Sequence, residues 1–436
     1  MTVTAKASRS WRRRLLTARI PVLLRHQLFR RYWAAQTISM FGDQISSVAM
    51  PLMAVLVFRA SAAEMGYLTA LVWLPSLLFG FHAGAWADRR GRRRATMITA
   101  DLGRFLLLAS LPACYALGVL SLAQLYAVAF AAGVLSVLFN VSDVTLFVAL
   151  VPPERYVDGN SLVCASRALS FTGGPSVGGL LVQWLTAPFA IAADALSFLG
   201  SALFLARIKP AEPPPAPAGK GSLTAGGRFI TRSPIVRAAL CASATINFFD
   251  LAFLALFTLY AVRMLHVIPA VLGLVLGAGA VGGLLGAALT KRLSAAIGIG
   301  WAYIAGCVLF TVPLLLVPLA GGPQPLVLAM LFLSEFGSGV GVMILDISIG
   351  SIFAAVIPDH LRARVRGAYQ AVNFGTRPLG AIAAGGLATL IGLRPALWLA
   401  AGGATLGFLW LLPTPVRTFR MPAGASPAEA TSDVTG

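Results

Sequence analysis

The chain has 436 residues, 58% of them hydrophobic and only 11% charged, with a formal net charge of +19. A soluble domain carries about 25% charged residues. This composition, with a mean hydropathy of +0.83, excludes a globular core under a wetted surface and points to a polytopic helical membrane protein. The excess of base does not indicate nucleic-acid binding, because Lys and Arg fall in short gaps between apolar runs and do not form one basic face.

Residues 1–32 are basic and broken, with no apolar signal core and no small-residue cleavage site. They read as a cytoplasmic arm lying on anionic headgroups. A hydrocarbon layer about 30 Å thick takes about 20 apolar residues as helix. On that rule twelve spans follow, near 33–57, 66–87, 96–119, 122–150, 161–185, 188–207, 235–262, 270–289, 298–319, 325–352, 366–391 and 394–412. The turns between 119 and 122, 185 and 188, and 391 and 394 are so short that each flanking pair forms an antiparallel hairpin. Residues 208–234, rich in Pro, Gly and basic residues, read as a linker between two six-helix bundles, 33–207 and 235–412. Residues 413–436 form a C-terminal tail.

Basic residues set the expected orientation. With the N-terminus inside, 28 of the 34 Lys and Arg lie on inner segments, and only Arg59, Arg263 and Arg394 lie on outer turns. Both termini and the linker are therefore expected in the cytoplasm, with the protein in the plasma (inner) membrane. The halves also repeat. Asp43 matches Asp250, Gly84 matches Gly286, Asn140 matches Asp346 and Pro175 matches Pro378, in order and at offsets of 202 to 207. Two parallel repeats suit a transporter whose site lies between them.

Ionisable residues within spans are costly and so are functional candidates. Asp43, Asp250 and Glu335 lie at depths nearest mid-membrane, and a desolvated carboxyl there can load and release a proton near neutral pH. Asp101 and Arg104 are one helical turn apart, the spacing of a local ion pair. Asp143, Arg167 and Asp346 lie toward the cytoplasmic side, and Asp194 toward the outer side. Asp43, Asp250, Glu335, Arg104 and Arg167 are the candidates for the substrate or proton pathway. The four cysteines lie within apolar runs, and neither they nor the four histidines have metal-ligand spacing. No metal, cofactor or catalytic residue is expected, and no nucleophile–base set marks an enzyme. There is no GxxxxGK[ST] loop for ATP.

After the second span the chain reads GAWADRRGRRR. Its Gly84, Asp88, Arg89, Gly91, Arg92 and Arg93 match the signature of the major facilitator superfamily between the second and third helices. The stretches VALVPPERYVDGNSLVCASRALSFTGGPSVGGLLV and RVRGAYQAVNFGTRPLGAIAAGG resemble the drug, macrolide and siderophore exporter branch, related to enterobactin exporters. The resemblance covers about residues 30–415. It implies an all-α membrane protein of the major facilitator fold that exports a small, partly apolar compound by alternating access, with protons as the coupling ion. A lysophospholipid or lipid mover, or an importer of the same fold, is the alternative. The expected partners are the small-molecule substrate, protons and membrane lipid, with no nucleic acid, and the chain is expected to act as a monomer.

Two departures stand out. Only the core of the antiporter motif, Gly174, Pro175, Gly178 and Gly179, is present, since Ser170 and Val163 replace its upstream glycines. No arginine occurs between Arg104 and Arg155, so the fourth-helix arginine of many proton-coupled exporters is missing. For the arginine-rich stretch, a positive-inside anchor is the plain reading. The spacing adds a gate, with Gly84 allowing close helix approach, Asp88 capping a short connecting helix and Gly91 reversing the chain. For Gly174 and Pro175 both packing and hinge readings stay open.

Overall fold

The computed structural model describes residues 21–90, 92–208 and 223–419. Twelve long helices follow in order. The first half contains α1 (Gln27–Leu56), α2 (Ala62–Arg90), α3 (Arg93–Ala116), α4 (Leu122–Leu150), α5 (Tyr156–Leu185) and α6 (Ala187–Ala206). The second contains α7 (Pro234–Arg263), α8 (Pro269–Ile297), α9 (Ile299–Thr311), α10 (Gln324–Val356), α11 (Asp359–Ile391) and α12 (Leu393–Thr405). A 3₁₀ turn at Val312–Leu315, which contains Pro313, interrupts α9 before Leu316–Leu319. Another, Leu406–Trp410, continues α12. Among the described residues, 9 helices are long and apolar enough to cross a membrane by length and composition. The more polar α5 and α11, and the 13-residue α12, complete the set.

Several helices overrun the apolar windows. α1 starts at Gln27, not near residue 33, because Phe29 and Tyr32 pack into a core with Met97, Phe139 and Leu146. α11 starts at Asp359, not near residue 366. An apolar window measures the hydrocarbon layer, whereas intrahelical hydrogen bonds carry a helix on into water. The linker is also partly helical. Leu223–Arg232 packs on α11 through Phe229 and Ile230, which meet Val236, Ile357 and Val365.

The repeat extends to turn geometry. Arg59 (φ 52) and His266 (φ 55), 207 positions apart, both take the left-handed conformation after a helix end. Each turn closes with the same six-residue bond, Ala60 N–H to Ala54 O and Val267 N–H to Ala261 O, both 2.9 Å. Thr186 and Gly392 likewise form matching one-residue turns, at φ 73, ψ 160 and φ 90, ψ 164. That region is open to glycine and costs another residue about 1–3 kcal/mol. Thr186→Gly is therefore expected to raise the melting temperature by a few degrees, after about 0.5–1 kcal/mol of glycine's own entropic cost. A lowered melting temperature would show that the Thr186 side chain contributes more than its backbone costs.

The packing divides the molecule along its length. One face carries the loops 57–61, 117–121, 264–268 and 320–323 and the turns at Thr186 and Gly392; we call it the far face. The other, the basic face, carries the 89–95 turn, residues 151–155 and the linker helix. Toward the far face a single core joins both halves, including Leu52, Met65, Leu111 and Phe198 of the first and Phe257, Leu272, Val317 and Leu397 of the second. Toward the basic face the cores are separate. Tyr32, Met97 and Phe139 belong to one, and Tyr303, Cys307 and Ile352 to the other. The halves are joined at one end and parted at the other.

Candidate functional site

The seam between the halves is made by α2 against α11 and α5 against α8. Each contains a glycine crossing. A Cβ added to Gly66 would lie 3.1 Å from Gly385 Cα, and one added to Gly179 would lie 3.0 Å from Gly273 Cα. Gly66 and Gly273 are 207 positions apart, and Gly179 and Gly385 are 206 apart, so the repeat exchanges one crossing for the other. Glycine permits this backbone approach because it has no side chain to separate the helices.

The motif in α5 is thus divided between two contacts. A Cβ on Gly174 would overlap the Gln44 side chain, and one on Gly178 would lie 3.1 Å from Ile45 Cα, both in α1. Gly179 faces α8, and a Cβ on Gly273 would collide with the carbonyl oxygen of Pro175. The crossings do not bear out the match of Pro175 with Pro378: the carbonyl in the place of Pro175 O is that of Ala381, three residues past Pro378, because α11 has three residues more than α5 before its crossing.

Below the crossings Ala70, Leu251, Ala255 and Ala381 form a small plug from α2, α7 and α11, with Trp73 against it. Leu77 is the next residue of α2 to approach α11, its Cδ1 3.7 Å from a Cβ position on Gly375. Further toward the basic face the halves have separate cores, so Trp73 marks the apex of a cleft. Asp250 adjoins the plug residue Leu251. Asp43 and Asp250 hold equivalent places, each sixteen residues past the start of α1 and α7. The apolar windows had put them ten and fifteen residues deep, because those windows began at different points of equivalent helices.

In the first half Arg104 is the hub. Its guanidinium donates to Asp101 and, at 3.3 Å, to Ser136 Oγ; Asp43 Oδ1 lies 3.9 Å away. Phe198 and Phe139 lie 4.0 and 4.6 Å from its guanidinium carbon. Arg104 and Asp101 are buried, whereas the Asp43 side chain is 49% exposed. The local ion pair read from the spacing is present, and Asp43 is the part of the network open to solvent. Asp194 is buried beside Gly42, just past the middle of α1, and accepts bonds from Ser46 and Ser197. Asp143 accepts from Tyr32 (2.7 Å) and Gln36, and Arg167 is exposed.

In the second half Arg377 stacks on Trp73 across the seam, 4.4 Å from the ring centroid. Its Nε donates to Asn247 Oδ1 at 2.7 Å, and Asn247 in turn donates to Ser243 O at 2.8 Å. Glu335 in α10 is half-buried, its Oε2 3.4 Å from a Cβ position on Gly279 of α8. Gly279 lies two residues past Gly277, which packs against Thr172 of α5. Among the described residues the ion pairs of the membrane interior are the two to Arg104, and Asp250, Glu335 and Asp346 have no cation within ion-pair distance. Trp73 and Asn247 were not singled out from the sequence. The available signal was Trp73's place well inside a span, away from the interfacial belt where Trp184 and Trp301 are exposed.

At the basic face α2 runs to Arg90 and α3 starts at Arg93, capped by Arg92 without a side-chain bond. No connecting helix separates them, so Asp88 lies in the last turn of α2 and does not cap a short helix. Gly91 and the side chains of Gly84, Asp88 and Arg89 lie outside the described residues. Arg92 is exposed and Arg93 buried. Arg94 donates to Leu205 O (2.9 Å) and Ala206 O (2.6 Å), and Arg31 to Arg207 O (2.5 Å). Cations thus satisfy the carbonyl end of α6, which the helix dipole favours. The cysteines are free; Cys307 is buried, Cys114 and Cys241 are half-buried and Cys164 is exposed. α5 turns that position outward despite its apolar neighbours. No group of three or more His, Cys, Asp or Glu among the described residues could hold a metal.

Two repeated six-helix halves, joined at one face and enclosing ionisable groups at the apex of a cleft, define a multi-pass membrane transporter. The profile of the transmembrane secretion effector family, within the major facilitator superfamily, matches residues 21–432, and the chain belongs to that family. It is similar to the multidrug efflux pump Tap of Mycolicibacterium fortuitum, with 29% identity over 379 residues, covering 81% of this chain and 87% of that protein. Tap of Mycobacterium tuberculosis (strain ATCC 25618 / H37Rv) is 28% identical over 397 residues, covering 81% and 85%. A bacterial homologue of the iron transporter ferroportin in an inward-facing state shares the fold, with a TM-score of 0.72, 16% identity and coverage of 91% and 100%. A variant of the nucleoside transporter NupG does so with a TM-score of 0.73, 13% identity and coverage of 89% and 99%.

Proposed function

We propose that the protein exports small, partly apolar compounds across the plasma membrane by alternating access, in exchange for protons. The observation that carries this reading is the joined far face and parted basic face, with Asp43, Asp250 and Glu335 near the apex between them. With the basic face cytoplasmic, this state opens its cleft to the cell interior, where an exporter loads cargo. Similarity to the Tap multidrug efflux pumps supports cargo of the drug type. The test is accumulation of a panel of fluorescent drugs in cells with and without the protein. Lower accumulation with the protein, lost when the proton gradient is collapsed, is expected. Higher accumulation would mean import, and insensitivity to the gradient would remove protons as the driver.

Gly84, Asp88, Arg89, Gly91, Arg92 and Arg93 form, on this reading, the device that closes the basic face. Asp88 lies in the last turn of α2, where the helix's own dipole disfavours an acid. That placement makes sense when a positive partner across the cleft meets it in the closed state. Asp88→Asn is expected to insert normally and to lose transport at least several-fold. Full transport by the variant would reduce the stretch to a topological anchor.

A further inference from the structure

Arg377 is a cation on an aromatic face in a half that has three intramembrane carboxylates, none of them within ion-pair distance of it. Its guanidinium lies 4.4 Å from the Trp73 ring centroid, and its Nε is held by Asn247. Asp250, Glu335 and Asp346, in the same half, lie beyond ion-pair distance of it. A guanidinium ordinarily finds a carboxylate when one is near. Here it is held instead on a ring of the opposite half, at the point where the halves part.

We propose that the face of Trp73 is a cation-recognition surface for cargo, and that Arg377 is its resident competitor. This deepens the export reading and rests on it. A lipophilic cation entering the cleft takes the Trp73 face, since an aromatic ring attracts any desolvated cation that reaches its centre. Arg377 then closes on Asp250 or Asp346, which already feel its charge but lie beyond ion-pair distance of it. The ring face thus carries one cation before and after the exchange. The exchange also breaks a contact between α2 and α11, so cargo binding loosens the seam at the apex. Asn247 positions Arg377 for this role, because its amide is itself oriented by the backbone carbonyl of Ser243.

The test measures binding of tetraphenylphosphonium to the purified full-length protein, with Trp73→Leu, Trp73→Phe, Arg377→Gln, Arg377→Lys and the double variant Trp73→Leu/Arg377→Gln. Removing the competitor by Arg377→Gln is expected to tighten binding by about two- to thirtyfold, the span of a cation–ring contact from exposed to desolvated. Trp73→Leu is expected to weaken it about tenfold or more, with Trp73→Phe and Arg377→Lys each closer to the wild type. In the double variant the gain from Arg377→Gln disappears, which a merely structural role for either residue would not produce. Unchanged or weaker binding by Arg377→Gln overturns the proposal. If Trp73→Leu does not fold, Trp73→Phe and the Arg377 variants decide it. A wild type that exports neutral compounds yet binds no tetraphenylphosphonium also overturns it and leaves the export reading standing. Loss of the export reading is recorded separately, as no change in the accumulation of any compound in cells.

Discussion

Gly385→Ala is expected to abolish transport while Gly386→Ala leaves it intact. The two glycines are neighbours on α11. A Cβ on Gly385 would lie 2.9 Å from Ala62 O and 3.0 Å from Ala63 Cα, whereas one on Gly386 meets nothing within 4 Å. Backbone cannot move aside as a side chain can, so the methyl at 385 pushes α2 and α11 apart where they cross. At 386 alanine is the better helix former by up to about 1 kcal/mol, and that variant is expected to be slightly more stable. By the repeat, Gly179→Ala behaves like Gly385→Ala, because a Cβ there would lie 3.0 Å from Gly273 Cα on the other seam. The measurements are drug efflux and the reactivity of a cysteine placed in the far-face loops, which rises when the seam opens. Equal efflux by the 385 and 386 variants would mean that the seam adapts and does not control the far face.

Amide replacement of the apex acids separates coupling from structure, and here the expected effects are largest. Asp43→Asn, Asp250→Asn and Glu335→Gln are all expected to fold, because Asp43 is half-exposed and the other two have no cation within ion-pair distance. At least one of them loses gradient-driven efflux and keeps energy-independent equilibration of cargo. Asp101→Asn behaves in the opposite way. It deprives a buried guanidinium of its bonded carboxylate, with Arg104 Nε already unsatisfied, at a cost of about 3–5 kcal/mol. Loss of expression or of heat stability is its expected signature. Normal pumping by all three apex variants would remove the proton-carrier assignment, and a stable Asp101→Asn would show that Arg104 is held by its aromatic neighbours and Asp43.

The sequence alone determined the membrane class, the two halves and the equivalence of Asp43 with Asp250, whereas its match of Pro175 with Pro378 was three residues out of register. These follow from local quantities, namely the length of apolar runs, the position of basic gaps and the order of a repeat. The ion pair of Asp101 with Arg104 was also legible, since residues one turn apart meet whatever surrounds the helix. Tertiary structure decided the rest. Gly66 meets Gly385, Gly179 meets Gly273, Ser46 meets Asp194 and Trp73 meets Arg377, over sequence separations that no local pattern records. Each pairing depends on how helices are rotated and where they cross. Successive residues in a helix turn by about 100°, so an error of one or two positions at a helix start moves a side chain from the seam to the lipid. The apolar windows set those starts only to within several residues, which is why the depths of Asp43 and Asp250 looked unequal and the Trp73–Arg377 contact went unseen.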